Sequence, residues 1–149
     1  MYAFIKGVCT LVKPSYIVIE SYGVGYLILS PTPYDYKVGS EVLCYTHHYI
    51  REDTNALYGF KSIESKELFV RLISVSGIGP KSALSILAND RIDEIILAIE
   101  GSDVKYLTKF PGIGPKSAQQ IILDLKGKLV TDDLELVPSH ESDVTQALS

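Results

Sequence analysis

The stretch GIGPKSA occupies residues 77–83, and the same seven residues occur again at 112–118. A period of this length indicates a duplicated supersecondary unit. Each copy is therefore predicted to consist of an apolar segment, a tight turn and the start of a new helix. The flanking apolar residues repeat with the same offset of 35 positions: Leu72 matches Leu107, Val75 matches Phe110 and Ile86 matches Ile121.

The turn in each copy is predicted to form an anion-binding site at the start of a helix. Two glycines permit a tight turn and the close approach of another molecule, while Ile78 between them points inward as an anchor. Pro80 suits the first helical position, and the next backbone N–H groups point outward at the positive end of the helix dipole. Lys81 adds a full charge beside them, which favours a phosphate. The predicted phosphate-binding residues are Gly77, Gly79, Lys81, Ser82, Gly112, Gly114, Lys116 and Ser117.

Two such sites in one small domain can hold successive phosphates or both strands of a nucleic-acid duplex. No helix carries Arg, Asn and Gln in base-reading positions, so the contact is expected to be independent of sequence. The alternative is that each turn only connects two packed helices. Two identical copies that both keep a lysine at the helix start favour the phosphate site, because packing alone does not require the lysine.

Enzyme hypotheses fit these residues less well. A Walker A loop has glycine directly before its lysine, where this chain has proline, and a dinucleotide fingerprint has a third glycine where Ser82 and Ser117 stand. A base-excision glycosylase can use a similar helical hairpin with a catalytic acid further along, and Asp124 is the nearby acid. Its position on an apolar helix is more simply that of a solvated or capping residue. We therefore expect no catalytic site, no cofactor and no metal.

Upstream of the repeat, residues 1–62 are predicted to form a five-stranded β-barrel. Short runs rich in Val, Ile, Leu and Tyr alternate with turn signals such as the one at 23–25. The OB-fold is the commonest five-stranded barrel, although composition alone does not separate it from an SH3-like barrel. The strands are expected at 2–8, 16–20, 26–30, 42–50 and 56–60.

From residue 63 onward, the apolar period changes to that of helices, so the fold class is predicted to be α+β, with an all-α domain over 63–130 behind the barrel. Asp90 and Asp103 are plausible helix caps, and Gly101 fits a helix end. Residues 131–149 are acidic and polar and are expected to be a flexible linker. The helices are expected at 63–75, 80–87, 92–100, 103–110 and 115–129.

The net charge of −4 does not exclude a nucleic-acid partner, because its distribution is uneven. Residues 131–149 carry five acidic residues and no lysine or arginine, whereas the rest of the chain is nearly neutral with local patches. Cys9 and Cys44 lie in strand-like runs without metal-ligand spacing, which predicts reduced, buried thiols in a cytosolic protein. The first residues lack a signal-peptide layout, and no apolar run approaches the length of a membrane helix.

A short acidic segment between two expected strands is predicted to be a hairpin tip. Glu52 and Asp53 are either an ordinary solvated turn or, on a DNA-binding surface, a group that repels phosphates at close range. The adjacent residues His47 and His48 point to opposite faces of a strand, so their two rings cannot easily bind the same metal ion. We expect both histidines to pack at the surface or to be half-buried.

Taken in order, these motifs resemble one protein family. The paired repeats are similar to tandem helix-hairpin-helix motifs, and they follow a barrel that carries GVGY at 23–26, THHYIRED at 46–53 and LYGF at 57–60. This combination resembles the RuvA family of bacterial Holliday-junction proteins over residues 1 to about 130.

The resemblance implies an OB-fold domain that assembles a homotetramer, possibly an octamer, and a helical domain that holds minor-groove phosphates of four DNA arms. By the match, the glycines and lysines within 77–81 and 112–116 take the phosphate role, and Glu52 with Asp53 forms an acidic pin at the centre of an open, square four-way junction. The implied function is structure-selective junction binding in recombination, DNA repair and the SOS response to DNA damage. A generic duplex-binding module remains the alternative, and a glycosylase or nuclease is a further one.

The implied partners are a hexameric RuvB-type ATPase motor and a RuvC-type resolvase, with this chain as a non-ATPase cytoplasmic subunit. The family has a mobile third domain that contacts the motor after an acidic linker. The sequence stops at Ser149, where that domain is expected to start. We therefore expect a truncated or cleaved form, or one without the motor-binding part.

Overall fold

A computed structural model of the chain describes residues 2–88 and 91–129. The chain divides into two compact units between Lys66 and Glu67. The first unit contains the strands and the second contains most of the helices.

The first unit is a closed five-stranded barrel with the order β1-β2-β3-β5-β4. All neighbouring strands are antiparallel except β3 and β5, which pair in parallel where Leu29 meets Tyr58. This arrangement confirms the predicted OB-like barrel and the α+β fold class. The strands are β1 (Phe4–Val12), β2 (Tyr16–Ser21), β3 (Val24–Leu29), β4 (Glu41–Arg51) and β5 (Thr54–Phe60).

The barrel interior is built by the alternation of each strand, which turns every second side chain inward. Both cysteines are free and fully buried there, as predicted. Burial raises the pKa of the Cys44 thiol to about 11, although the hydroxyl of Tyr36 donates a 3.5 Å hydrogen bond to its sulfur. Such thiols stay protonated and inert at neutral pH. The core cluster comprises Ile5, Cys9, Ile17, Ile19, Ile28, Tyr36 and Cys44.

Most strand boundaries differ from the sequence prediction by one to four residues, and two of these differences have a visible cause. β1 continues to Val12 because a bulge between Cys9 and Leu11 shifts its register against β2, which interrupts the simple alternation. β3 begins at Val24 because the turn consists of Tyr22 and Gly23, both with positive φ (52° and 83°). A pair of left-handed residues is the preferred two-residue hairpin loop, but tyrosine is an unusual residue to fill it.

The helices begin close to their predicted positions and several end earlier. α5 stops at Leu125 because Lys126 adopts an extended backbone and Gly127 has φ of 86°. Shorter α1 and α4 leave room for the turns of the repeat. The helices are α1 (Ile63–Ile73), α2 (Pro80–Leu87), α3 (Ile92–Glu100), α4 (Val104–Thr108) and α5 (Pro115–Leu125).

The predicted caps have different outcomes. Asp103 caps α4, since its side chain accepts a 3.0 Å hydrogen bond from the N–H of Tyr106. Gly101 ends α3 as predicted, but the left-handed residue is Ser102, with φ of 54°. Asp90 and the linker at 131–149 lie outside the described residues, so both remain predictions.

Candidate nucleic-acid interface

The first copy of the repeat forms a tight turn between α1 and α2. Gly77 has φ of 88°, a conformation that favours glycine, and the N–H of Ile78 bonds to the carbonyl of Val75 at 3.0 Å. The Ile78 side chain is 5% exposed, so it is the inward anchor that the sequence predicts.

Helix α2 then begins with an open, positively charged end. Gly79 is the N-cap residue, Pro80 is the first helical residue, and the first helical hydrogen bond joins the N–H of Ala83 to the carbonyl of Gly79 at 3.1 Å. The N–H groups of Lys81 and Ser82 precede that bond and have no intrahelical acceptor. Because Lys81 is exposed, this end combines a charge with donors that a phosphate oxygen can reach.

The second copy repeats this geometry at the start of α5. Gly112 has φ of 86°, Ile113 is 4% exposed, and the N–H of Ala118 bonds to the carbonyl of Gly114 at 2.9 Å. The N-cap residues Gly79 and Gly114 have ψ of 177° and 178°, respectively. The repeated sequence thus gives two helix starts of the same backbone geometry, and all eight predicted phosphate-binding residues lie at them.

Helix α2 contacts the second turn within the helical unit. The Ser85 hydroxyl on α2 lies 2.8 Å from the carbonyl oxygen of Pro111, which directly precedes the second turn. A Cβ atom added to Gly112 would lie 3.3 Å from the Ser82 hydroxyl oxygen. Ser85 is not among the phosphate-binding residues that the repeat predicts. Its signal is a break in the repeat, because the position 35 residues later is Gln120.

The two N-cap glycines give a test of close ligand approach. Their φ values of −96° and −90° suit any residue, and a Cβ at either position would meet nothing within 4 Å. Serine caps helices at least as well as glycine, so Gly79→Ser with Gly114→Ser should leave the melting temperature unchanged or slightly raised. We expect the same variant to bind DNA roughly tenfold more weakly, because each side chain would project into the space where a phosphate is expected to bind.

The control for this variant is Gly77→Ser with Gly112→Ser. These substitutions place side chains at positive φ and should lower the melting temperature by several degrees, since each costs on the order of 1 kcal/mol. Thermal unfolding and fluorescence anisotropy with duplex DNA measure the two effects. An N-cap variant with full DNA affinity would contradict close phosphate approach at these glycines.

The acidic segment forms the tip of the β4–β5 hairpin. Arg51 pairs with Thr54, so Glu52 and Asp53 are the two loop residues, and both are exposed. Neither has positive φ, so the loop is not of the type that two-residue hairpins favour. The carboxylates therefore occupy a position where Asn-Gly would give a more stable turn, which is consistent with a role other than folding.

The other candidate residues have ordinary surroundings. Asp124 accepts a 3.0 Å hydrogen bond from Gln120 one helical turn earlier, as a helix-surface acid does. His48 lies 2.7 Å from the side-chain oxygen of Asn55 and is half-buried. Burial lowers the pKa of His47, and the charge of Lys66 adds to this effect. Among residues 2–88 and 91–129, no three metal-ligating side chains lie together.

Comparisons with known proteins identify a matching family for each of the two units. Residues 1–59 match the family described as RuvA N terminal domain, and residues 69–127 match the SAM-like helix-hairpin-helix tandem. A protein of Acholeplasma laidlawii (strain PG-8A), named "Holliday junction branch migration complex subunit RuvA", is 61% identical over 150 residues, which cover 99% of this chain and 81% of that protein. The chain belongs to the RuvA family.

Other RuvA relatives carry the same name. The protein of Lactobacillus johnsonii is 52% identical over 87% of this chain and 67% of its own length. The protein of Bacillus velezensis is 48% identical over 95% of this chain and 72% of its own length. In the described part of this RuvA chain, no helix is both long and apolar enough to span a membrane.

Proposed function

We propose that this chain binds four-way DNA junctions without reading base sequence and serves as the RuvA-type subunit of a branch migration complex. The name of its relatives, Holliday junction branch migration complex subunit, supports this assignment. The observation in the chain itself that supports it most is the pair of equivalent helix starts held side by side in one unit.

The phosphate contacts follow from the geometry of the repeat. Lys81 and Lys116 are exposed beside helix starts whose first N–H groups lack intrahelical acceptors. The contact of Ser85 with Pro111, just before the second turn, supports the proposal that both sites bind the same stretch of duplex. Phosphate spacing is common to all sequences, so these contacts give affinity without base specificity.

Selectivity for a junction requires several copies of the chain. We propose a homotetramer, with an octamer as a further assembly, in which four helical units hold four arms. Four hairpin tips then bring eight carboxylates from Glu52 and Asp53 to the crossover. Like charges repel by about 1 kcal/mol per pair at 4 Å in water, and more where water is excluded, so the tips keep the strands apart and the junction open.

The proposed complex divides its tasks between proteins. A hexameric RuvB-type ATPase supplies the energy for branch migration, and a RuvC-type resolvase cuts the junction. This chain supplies the DNA framework as a cytoplasmic, non-ATPase subunit. Purified protein should therefore release no bases and cut no strands with any divalent metal, and either activity would favour the glycosylase or nuclease hypothesis.

The decisive experiment compares a four-way junction with linear duplex of the same arm sequence at several salt concentrations. We expect tighter binding to the junction at every salt concentration. Light scattering with and without the junction measures the number of copies bound. Equal affinity for both DNAs would leave only a generic duplex-binding module.

The hairpin tip can be tested by removing its charge at constant shape. Glu52→Gln with Asp53→Asn should keep or increase junction affinity, by roughly two- to tenfold, because less repulsion opposes the DNA. We expect the bound junction to lose part of its open, square form, which fluorescence energy transfer between labelled arms measures. Glu20→Gln with Glu41→Gln removes two exposed barrel carboxylates as the control. A large loss of affinity in the tip variant alone would give the tip a different role.

A further inference from the structure

Arg51 is the basic residue next to the two acids of the hairpin tip, yet its guanidinium contacts other groups. Its guanidinium carbon lies 4.1 Å from the centroid of the Tyr49 ring, and Nη1 donates a 2.8 Å hydrogen bond to the carbonyl of Ile50. Tyr49 and Arg51 are two positions apart on β4, so they share one face of the strand. The cation is thus directed back along the hairpin and away from its tip.

The Tyr49 ring is itself held in place. It packs edge-to-face on Tyr58 of β5, with the ring centroids 5.9 Å apart and the planes at 80°. Tyr58 is 7% exposed, so the stack begins in the barrel wall and ends at the exposed guanidinium. A fixed aromatic face is a better cation-binding surface than a mobile one, because little conformational freedom is lost on contact.

Among residues 2–88 and 91–129, the carboxylates of Glu52 and Asp53 consequently have no cationic partner. In the described part of the chain, neither forms an ion pair, and Asp53 accepts only the 3.2 Å hydrogen bond of the Thr54 hydroxyl. We infer that Arg51 and Tyr49 are positioning residues: their stack withholds the nearest cation from Glu52 and Asp53, so that the hairpin tip keeps its repulsive charge. This inference rests on the proposed role of that tip at the junction.

The Arg51 guanidinium has two positions of similar free energy, one over the Tyr49 ring and one beside a carboxylate of the hairpin tip. A cation over an exposed aromatic ring and a surface ion pair with a carboxylate are of comparable strength. Because the two free energies are similar, the presence of the Tyr49 ring is enough to determine where the guanidinium lies. Without the ring, Arg51 is free to pair with Glu52 or Asp53, and a salt-bridged tip repels phosphate less.

The test removes the ring and then the cation. We expect Tyr49→Leu to bind both duplex and junction about two- to fivefold more tightly, the range that one surface ion pair can produce. Tyr49→Leu with Arg51→Gln should return to within about twofold of the parent affinity, because no cation remains to neutralise the tip. Tyr49→Phe keeps the aromatic face and should behave as the parent. Melting temperatures of all variants identify any loss of folding.

A purely structural role for Tyr49 predicts a different pattern, since the double variant would then be no better than Tyr49→Leu. Direct phosphate binding by Arg51 predicts that Arg51→Gln alone weakens binding severalfold. Either result would overturn the inference.

A DNA-free measurement separates this inference from the proposed function. Protons of the Arg51 side chain should show upfield ring-current shifts in NMR spectra of the parent and of Tyr49→Phe, and not of Tyr49→Leu. Absence of the shift in the parent overturns the stack itself. If the shift is present while Glu52→Gln with Asp53→Asn leaves DNA binding and junction shape unchanged, the tip's proposed role fails, and the charge-withholding role fails with it.

Discussion

Lys81→Ala combined with Lys116→Ala should weaken binding to a four-way junction by roughly 100-fold or more near 0.1 M salt. Each lysine lies at an exposed helix start that already offers unpaired N–H groups, so its removal takes away the full charge of each site. In a tetramer, the double substitution removes eight such charges. The plot of log affinity against log salt should become shallower by about 0.9 for each phosphate that the protein no longer neutralises.

A matched control separates phosphate binding at the repeat from the change in net charge. Lys13 and Lys37 are also exposed but lie in the barrel unit, so Lys13→Ala with Lys37→Ala changes the total charge by the same amount. We expect this control to change affinity by less than about threefold and to keep most of the salt dependence. Equal reductions of affinity in both variants, or an unchanged slope in the first, would contradict phosphate binding at the repeat. Titrations at four or more salt concentrations measure the slopes.

Gly59→Ala should strongly destabilise the barrel. Gly59 is buried in β5, and an added Cβ would overlap the Cys44 sulfur and the Cγ2 atom of Ile28, both fully buried. Overpacking of this kind typically costs about 1–3 kcal/mol, and two simultaneous overlaps favour the upper end. The barrel should therefore melt roughly 10–20 °C lower.

The cause can be checked by relieving one overlap. Cys44→Ala shortens one of the two opposing side chains, so Gly59→Ala with Cys44→Ala should melt higher than Gly59→Ala alone. Gly25→Ala is the control, because its Cβ would meet only Val18 at an ordinary distance of 3.4 Å. Circular dichroism and calorimetry follow the transitions. A Gly59→Ala protein that melts with the parent would show that the barrel interior has room that the structure does not contain.

The repeat could be predicted from the sequence because backbone conformation and packing both restrict which residue types can occupy its positions. A turn with positive φ selects Gly77 and Gly112, a helix start selects proline, and the residue between the glycines has to be apolar to anchor the turn. Ile78 and Ile113 are accordingly buried. Where several local preferences agree in this way, sequence patterns are reliable.

Features that run against local preference could not be predicted. Tyr22 and Ser102 both have positive φ, although a glycine adjoins each of them and is the residue expected there. At the hairpin, surrounding strands set the turn position, and Tyr22 takes the left-handed conformation that this position requires. The bulge after Cys9 arises from pairing with β2, which no local pattern encodes.

The surroundings of the candidate site depend on contacts between distant residues. The position of the Arg51 guanidinium depends on the aromatic rings of β4 and β5, which the residues next to Arg51 in the sequence do not indicate. The Ser85 contact with Pro111 likewise joins residues 26 positions apart. Which of the predicted phosphate-binding residues contact DNA remains a prediction, to be tested by the variants above.

The contact between Ser85 and Pro111 also has a consequence for movement. If both helix starts bind phosphates, as proposed, this contact helps to hold the two binding sites at a constant separation. A uniform double helix offers the same phosphate spacing at each base-pair step. Two sites at a constant separation that bind only phosphates would therefore exchange one pair of phosphates for an equivalent pair as DNA advances. We therefore expect the free energy of the bound DNA to change little as it slides, so that little work is needed to move it past the two sites.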